Sequence, residues 1–309
     1  MQISTTQPPA QFSNVLIATD FSPASEAAFR AALLVCEASR AKLTILNVFE
    51  YAAAAPPEVG GQLIDWEVFL AQARRSLDEL DQQAKQAGLE SEAALRGGVA
   101  NLTILDTIQD RKIDLAILGT NAVHGFERLV FGSTAESVLR KAHCPVLTVG
   151  PRAANAIAVT DPAGPVVFAT DFHVATIPAI GYAASFCRLA GAPLHCLHVL
   201  PRTLEGAAQS HVVPQIATEA LQQVVKESRM AMDPPVCAVT YGSEVSNAIV
   251  SYARQHHASL IVLGVREASF AASHVPAHIA YRVIAEANCP VLTVAFAQHH
   301  HVSLAAACI

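Results

Sequence analysis

Between residues 118 and 139 the chain reads LGTNAVHGFERLVFGSTAESVL. An apolar run delivers Gly119, a loop follows, and Gly132-Ser133-Thr134 opens a segment with helical spacing. That combination suits phosphate. Glycine lets a backbone approach a ligand closely, and a helix start offers unbonded N–H groups and the positive end of the helix dipole. Ser133 and Thr134 add hydroxyls. The stretch is neither the GxGxxG of dinucleotide enzymes nor a Walker loop, since no GKS or GKT occurs. Asp20, at the end of the run NVLIATD, is a carboxylate that can hold a ribose hydroxyl or a metal ion beside phosphates. Each residue also has an architectural explanation. Gly119 can simply end a strand, Ser133-x-x-Glu136 has the form of a capping box, and Asp20 can cap the following turn. Taken singly, each is better explained by architecture.

The elements that must position these residues alternate. NVLIATD (14–20) is apolar throughout, as a strand buried on both faces is. Ser22 to Arg40 has helical spacing, with Pro23 suited to a first turn. LTILNV (43–48) is a second strand, and EYAAAAPPEVGG (50–61) is too rich in Pro and Gly to be other than loop. Ile64 to Ala87 reads as a long helix closed by Gly88. SEAALRG (91–97), a helix over 102–111, DLAILGT, the helix Ser133–Lys141 and CPVLTVG complete the set. The second half repeats the order, from PVVFATD to CPVLTVA, after a linker RAANAIAVTDPAG (152–164). This alternation predicts right-handed crossovers and mostly parallel sheets. Ligands then sit beyond the carboxyl ends of strands, at a topological switch point.

The repetition is literal in places. ATDF occurs at 18–21 and 169–172, HCPVLTVG at 143–150, and NCPVLTVA at 288–295. Asp20 and Asp171 are 151 residues apart, whereas Gly119 and Gly264, and Cys144 and Cys289, are each 145 apart. A period this long is a domain, not a solenoid unit. Two domains are expected, over 12–151 and 164–297.

Composition narrows the class. The chain is 52% hydrophobic and 15% charged, enough apolar material for a core in each half. A formal net charge of −6 argues against a general nucleic-acid binder. No apolar run reaches membrane-spanning length. MQISTTQPPAQFSN reads as a loose arm rather than a secretory signal. The seven cysteines include no C-x-x-C pair, and Cys36, Cys187 and Cys196 fall in apolar segments, so free thiols in the cytoplasm are expected. Cys144 and Cys289 read as small buried hydrophobes. No metal site is expected, because Cys and His show no ligand spacing. His124 reads as a solvated loop residue, His256-His257 as suited to a helix C-terminus, and His299–His301 as a tail.

With these residues in view, the chain resembles a tandem universal stress protein. The ATP-binding pattern of that family, G-x2-G-x9-G-[ST], falls on Gly119, Ala122, Gly132 and Ser133; the ATDFS opening and CPVLTV ending also match. The resemblance covers essentially all of each half. It implies an α/β fold of two Rossmann-like, adenine nucleotide α-hydrolase-like domains, each a five-stranded mostly parallel sheet with helices on both faces. It implies ATP as the ligand and leaves open an accompanying magnesium ion. Asp20 would lie near the ribose and Val48 near the adenine. Gly119, Asn121, Gly132, Ser133 and Thr134 would surround the phosphates, with Ala18, Leu118 and Ala122 completing the site. Ala122 departs from the pattern, and its methyl stands where a close-approach glycine belongs. In the second half Gly264 and Asp171 persist, but Glu267, Ala277 and His278 occupy the other motif positions and Pro276 removes a donor. That half is expected not to bind ATP in the family's manner, leaving it a structural or regulatory role or a different ligand.

Three functions follow. The leading one is an ATP-binding stress-response or signalling module, not an enzyme, with hydrolysis slow if present. The second is a nucleotide-free scaffold acting through protein contacts. The third is an adenylyl-transfer enzyme of the wider superfamily, against which stands the lack of a nucleophile–base arrangement or a substrate domain. The apolar last strands invite pairing of the two domains within the chain. A homodimer and an unidentified protein partner remain open.

Overall fold

The computed structural model describes residues 12–50, 58–59, 62–63, 66–120, 123–124, 129–130, 132–156, 164–173, 176–205, 212–228, 230, 233–266 and 276–296. The first half runs β1 (Asn14–Ala18), α1 (Pro23–Ser39), β2 (Lys42–Phe49), a short pair β3 (Glu58–Val59) and β4 (Gln62–Leu63), α2 (Trp66–Gln86), β5 (Ser91–Gly97), α3 (Ala100–Asp110) and β6 (Leu115–Gly119). A second short pair follows, β7 (Val123–His124) and β8 (Leu129–Val130), then α4 (Ser133–Lys141) and β9 (Val146–Val149). The second half runs α5 (Pro151–Ala156), β10 (Val166–Ala169), α6 (Ala179–Ala190), β11 (Leu194–Pro201), a 3-10 turn, α7 (Val212–Glu227), β12 (Val236–Gly242), α8 (Val245–Gln255), β13 (Leu260–Arg266), α9 (Pro276–Glu286) and β14 (Val291–Phe296).

Each half contributes five strands to one ten-stranded sheet, in the order β12-β11-β10-β13-β14-β9-β6-β1-β2-β5. Within each half the pairs are parallel. The chain winds outward from β1 through β2 to β5, then crosses back to β6 and β9. The direction of winding therefore reverses between β1 and β6, and likewise between β10 and β13. The halves meet where β14 and β9 pair antiparallel, with Leu292 opposite Leu147 and Val291 opposite Thr148. The Thr293 hydroxyl donates to the Val146 carbonyl at 3.3 Å across that seam.

Burial on both faces explains the apolar strands. Side chains from α1, α2, α5, α6 and α7 join one core layer, and those of α3, α4, α8 and α9 the other. Each layer contains residues of both halves, so the packing is continuous across the seam. Short runs of turn chemistry set the helix limits. The Ser22 hydroxyl accepts from the Ser25 N–H at 3.3 Å to cap α1, and Pro23 takes its first turn. Arg40, at φ 56°, ends it by donating its N–H to the Cys36 carbonyl.

Several expectations shift. The first strand stops at Ala18: the Thr19 N–H still donates to the Leu46 carbonyl, but the side chains of Thr19 and Asp20 then capture the N–H groups of Phe21 and Ser22 and bend the chain. The linker does not begin as loop: Pro151 starts the six-residue α5, whose Ala153 is fully buried. The arm ends in an anchor, not a loose segment. Phe12 is buried with its ring 5.4 Å from that of Phe186, and Asp114 accepts from the N–H groups of Ser13 and Asn14 at 2.7 and 3.1 Å. Strand β3 and the pair β7–β8 lie inside stretches read as loop, and β4 falls between the first of these and the long helix. Residues 1–11 of the arm, the tail His299–His301 and most of the 50–61 loop lie outside the described residues. The six described cysteines are free, and burial pushes the thiols of Cys36, Cys144, Cys187, Cys196 and Cys289 up to about 12, so they stay protonated at neutral pH.

Candidate functional site

The reversal between β1 and β6 brings Ala18, Asp20 and Gly119 to one end of the sheet, with Val48 and Leu118 on the neighbouring strand ends. Leu118 is buried, while Ala18 and Val48 are half-buried. The turn after β1 is built from its own side chains. The Thr19 hydroxyl accepts from the Phe21 N–H at 3.0 Å, and the Asp20 carboxylate accepts from the Ser22 N–H at 3.0 Å. Together they hold Phe21 at φ 61°, a left-handed conformation uncommon for a bulky residue. The Asn47 amide donates to the Thr19 carbonyl at 2.7 Å from below. Partial burial pushes the Asp20 carboxyl up, but hydrogen bonds from the Ser22 side chain and backbone and from Ser25 outweigh it. The net shift is downward, and Asp20 is ionised at neutral pH.

The glycines divide. At Gly119 a Cβ would lie 2.4 Å from the Ala24 carbonyl carbon and the Ser25 nitrogen, so the close passage of α1 over β6 requires glycine there without any ligand. At Gly132 the φ is −58° and a Cβ would meet only the Thr120 hydroxyl, at 3.9 Å. Neither backbone conformation nor packing within the described protein demands a glycine at 132. Beyond it α4 begins with no side-chain cap. Gly132 itself is the capping residue and Ser133 the first helical one, so Ser133-x-x-Glu136 is not a capping box. Glu136 instead pairs with Arg140 at 3.7 Å. Among the described residues, neither the Ser133 nor the Thr134 hydroxyl has a hydrogen-bond partner.

Thr120 adds the most specific feature. It is 4% exposed, and its Oγ1 has no hydrogen-bond partner among the described residues. A buried hydroxyl left unpaired costs about 1–3 kcal/mol, so such groups are rare without a reason. This one faces the uncapped start of α4. A phosphate oxygen there would find a hydroxyl, first-turn N–H groups and the positive helix end. Asn121 and Ala122 lie outside the described residues, as does Glu267 in the second half. Among the described residues no group of three His, Cys, Asp or Glu side chains is placed to hold a metal.

The universal stress protein family model matches residues 11–150 and again 163–295. The chain belongs to the universal stress protein family. A universal stress protein of Methanocaldococcus jannaschii is 29% identical over 140 residues, which is 45% of this chain and 82% of the relative. A homolog of universal stress protein A from Coxiella burnetii is 32% identical over 144 residues, 45% of this chain and 96% of its own length. Each of these aligns with a half-chain length, as expected of tandem domains. A solved universal stress protein structure from Archaeoglobus fulgidus spans both halves. It covers 91% of this chain and 98% of its own at a TM-score of 0.68 and 19% identity, a likeness of fold.

The second domain of this universal stress protein rebuilds the same turn. The Thr170 hydroxyl accepts from the Phe172 N–H and the Asp171 carboxylate from the His173 N–H, each at 3.0 Å, and Phe172 sits at φ 61°. Gly264 is again forced, its Cβ position lying 2.5 Å from the Thr176 carbonyl oxygen. The residues after that glycine are what differ. Sequence reasoning singled out Ser133 and Thr134 but passed over Thr120, one residue after Gly119. The signal was present: at the same place in the repeat the second domain has Val265, an aliphatic side chain of similar shape without the hydroxyl.

Proposed function

We propose that the first domain, residues 12–151, binds ATP or a related adenine nucleotide, and that the protein is a stress-response or signalling module whose task is binding rather than turnover. The observation that carries this reading is the unpartnered Thr120 hydroxyl, buried beside a Gly132 that packing does not require, at an uncapped helix start. Thr120, Ser133, Thr134 and the first-turn N–H groups would hold phosphate oxygens, with Asn121 and Ala122 in the intervening loop. The ionised Asp20 would accept from the ribose, and Ala18, Val48 and Leu118 would flank the base. An accompanying magnesium ion would draw on the phosphates and the Asp20 carboxylate. The second domain, residues 164–297, lacks the hydroxyls and takes no nucleotide in this mode. The bound state would alter affinity for a protein partner or a second copy of the chain in the cytoplasm.

The substitution Gly132→Glu tests the phosphate site. Gly132 is exposed and its Cβ direction open, so folding should be unaffected while a carboxylate enters the anion site. ATP affinity by calorimetry should fall by about 100-fold or more, a loss of the size expected when a charge is placed against a charge. Unchanged affinity would place the phosphates elsewhere. The scaffold reading has its own support: Gly119 is explained by packing, and Asp20 serves its own turn. It predicts no ATP binding by the unaltered protein.

A further inference from the structure

At the strand exits of the second domain lies a cavity of about 180 Å³. Its walls include Val199, Val245, Ile249, Leu263, Val265 and Ile279, with Asp171, Thr170, Thr176 and His198 as the main polar groups. Gly119 and Gly264 are 145 residues apart, and the strand registers agree, with Gly119 opposite Val149 and Gly264 opposite Val294. On that spacing Val265 replaces Thr120 and Ile279 replaces Thr134. Two hydroxyls of the first domain have become aliphatic walls. No lysine or arginine is among the described lining residues, and Asp171 brings a carboxylate. Among the described lining residues a phosphate would meet methyl groups and the Asp171 carboxylate, an unfavourable setting.

Such a cavity suits a different occupant. A space of roughly 150 Å³ is enough for a benzene-sized molecule. The polar rim narrows the choice further. The His198 Nδ1 lies 2.8 Å from the Thr170 carbonyl oxygen, which can only accept, so Nδ1 carries the proton. The ring packs on Phe172 at 4.3 Å, which fixes its plane, and the Asp171 carboxylate on the same rim can only accept. A ligand held by this rim brings a donor, not an acid. We propose that the second domain binds a neutral, ring-sized aromatic molecule carrying an N–H or O–H donor. The inference stands apart from nucleotide binding in the first domain.

The test is a titration of the full-length protein, methyl-labelled at Ile, Leu and Val, with indole, followed by NMR. Indole should give saturable shifts at the methyls of Val199, Ile249, Val265 and Ile279, and excess ATP should leave them in place. Filling the cavity by Val265→Phe should weaken indole by about tenfold or more, about 1.4 kcal/mol. Val199→Phe, at a half-buried position, serves the same purpose if Val265→Phe does not fold. Absence of saturable shifts in the unaltered protein would overturn the proposal. So would equal indole affinity in a folded cavity-filled variant, or displacement of indole by ATP at these methyls. Failure of ATP to shift the first-domain methyls of Val48 and Leu118 would count only against the first-domain reading.

Discussion

At the scale of the residue, Thr120 and Asp20 make opposite demands. Thr120 carries a buried hydroxyl that folding leaves without a described partner. Thr120→Val should therefore keep or raise stability, by about 1 kcal/mol, while weakening ATP by about tenfold. Thermal unfolding without nucleotide and calorimetry with it read the two effects separately. A variant that loses stability and keeps affinity would show that the hydroxyl serves the fold. Asp20 contributes stability through its turn. Its carboxyl is held below the ordinary 3.8, so this contribution is fully present above the unfolded value and is lost as pH falls through the folded one. Asp20→Asn should thus lower the melting temperature at pH 6–7, and the gap to the unaltered protein should begin to shrink below about pH 4 and close as pH falls through the folded value. A gap that persists unchanged at low pH would mean the charge is not its source. Asp20, Gly132 and Ser133 were legible as chemistry from the sequence alone. The reason for Gly119 was not, because the atoms it must clear belong to α1, some 95 residues earlier in the chain.

At the scale of the element, the strands and most helices were legible because both faces of a parallel sheet are buried and write continuous apolar runs. Ser133–Lys141, Val245–Gln255 and Val236–Gly242 have the limits that sequence spacing gives them. Failures cluster where side chains capture backbone groups or another element supplies the packing. β1 ends early for the first reason. Phe12 and α5 escape notice for the second, since their partners lie elsewhere in the chain. The joint between domains makes a quantitative case. A Cβ on Gly150 would lie 2.0 Å from the Ile284 carbonyl oxygen of α9. Gly150→Ala therefore pushes β9 and α9 apart and should cost about 3 kcal/mol, seen as a lower melting temperature. An unchanged melting temperature would mean that the joint is looser than this packing requires.

At the scale of the whole molecule, the two halves share a frame and differ at their strand exits. One turn, Thr-Asp-Phe with its left-handed Phe, is kept at both strand exits, and the sheet winds identically in both halves. The hydroxyls at 120 and 134 are kept in one half and replaced by Val265 and Ile279 in the other. The repeat itself was plain in the sequence. That ten strands form one sheet with shared core layers was not, because register across β9 and β14 depends on docking two surfaces rather than on any local pattern. The central claim is a nucleotide site in the first domain alone. The direct measurement is the nucleotide content of the full-length protein purified without added nucleotide, denatured and its released small molecules identified and counted. The account predicts about one ATP or ADP per chain, since a tightly held ligand survives purification at concentrations above its Kd. Release of none, followed by no binding in an ATP titration, would contradict it, as would two per chain.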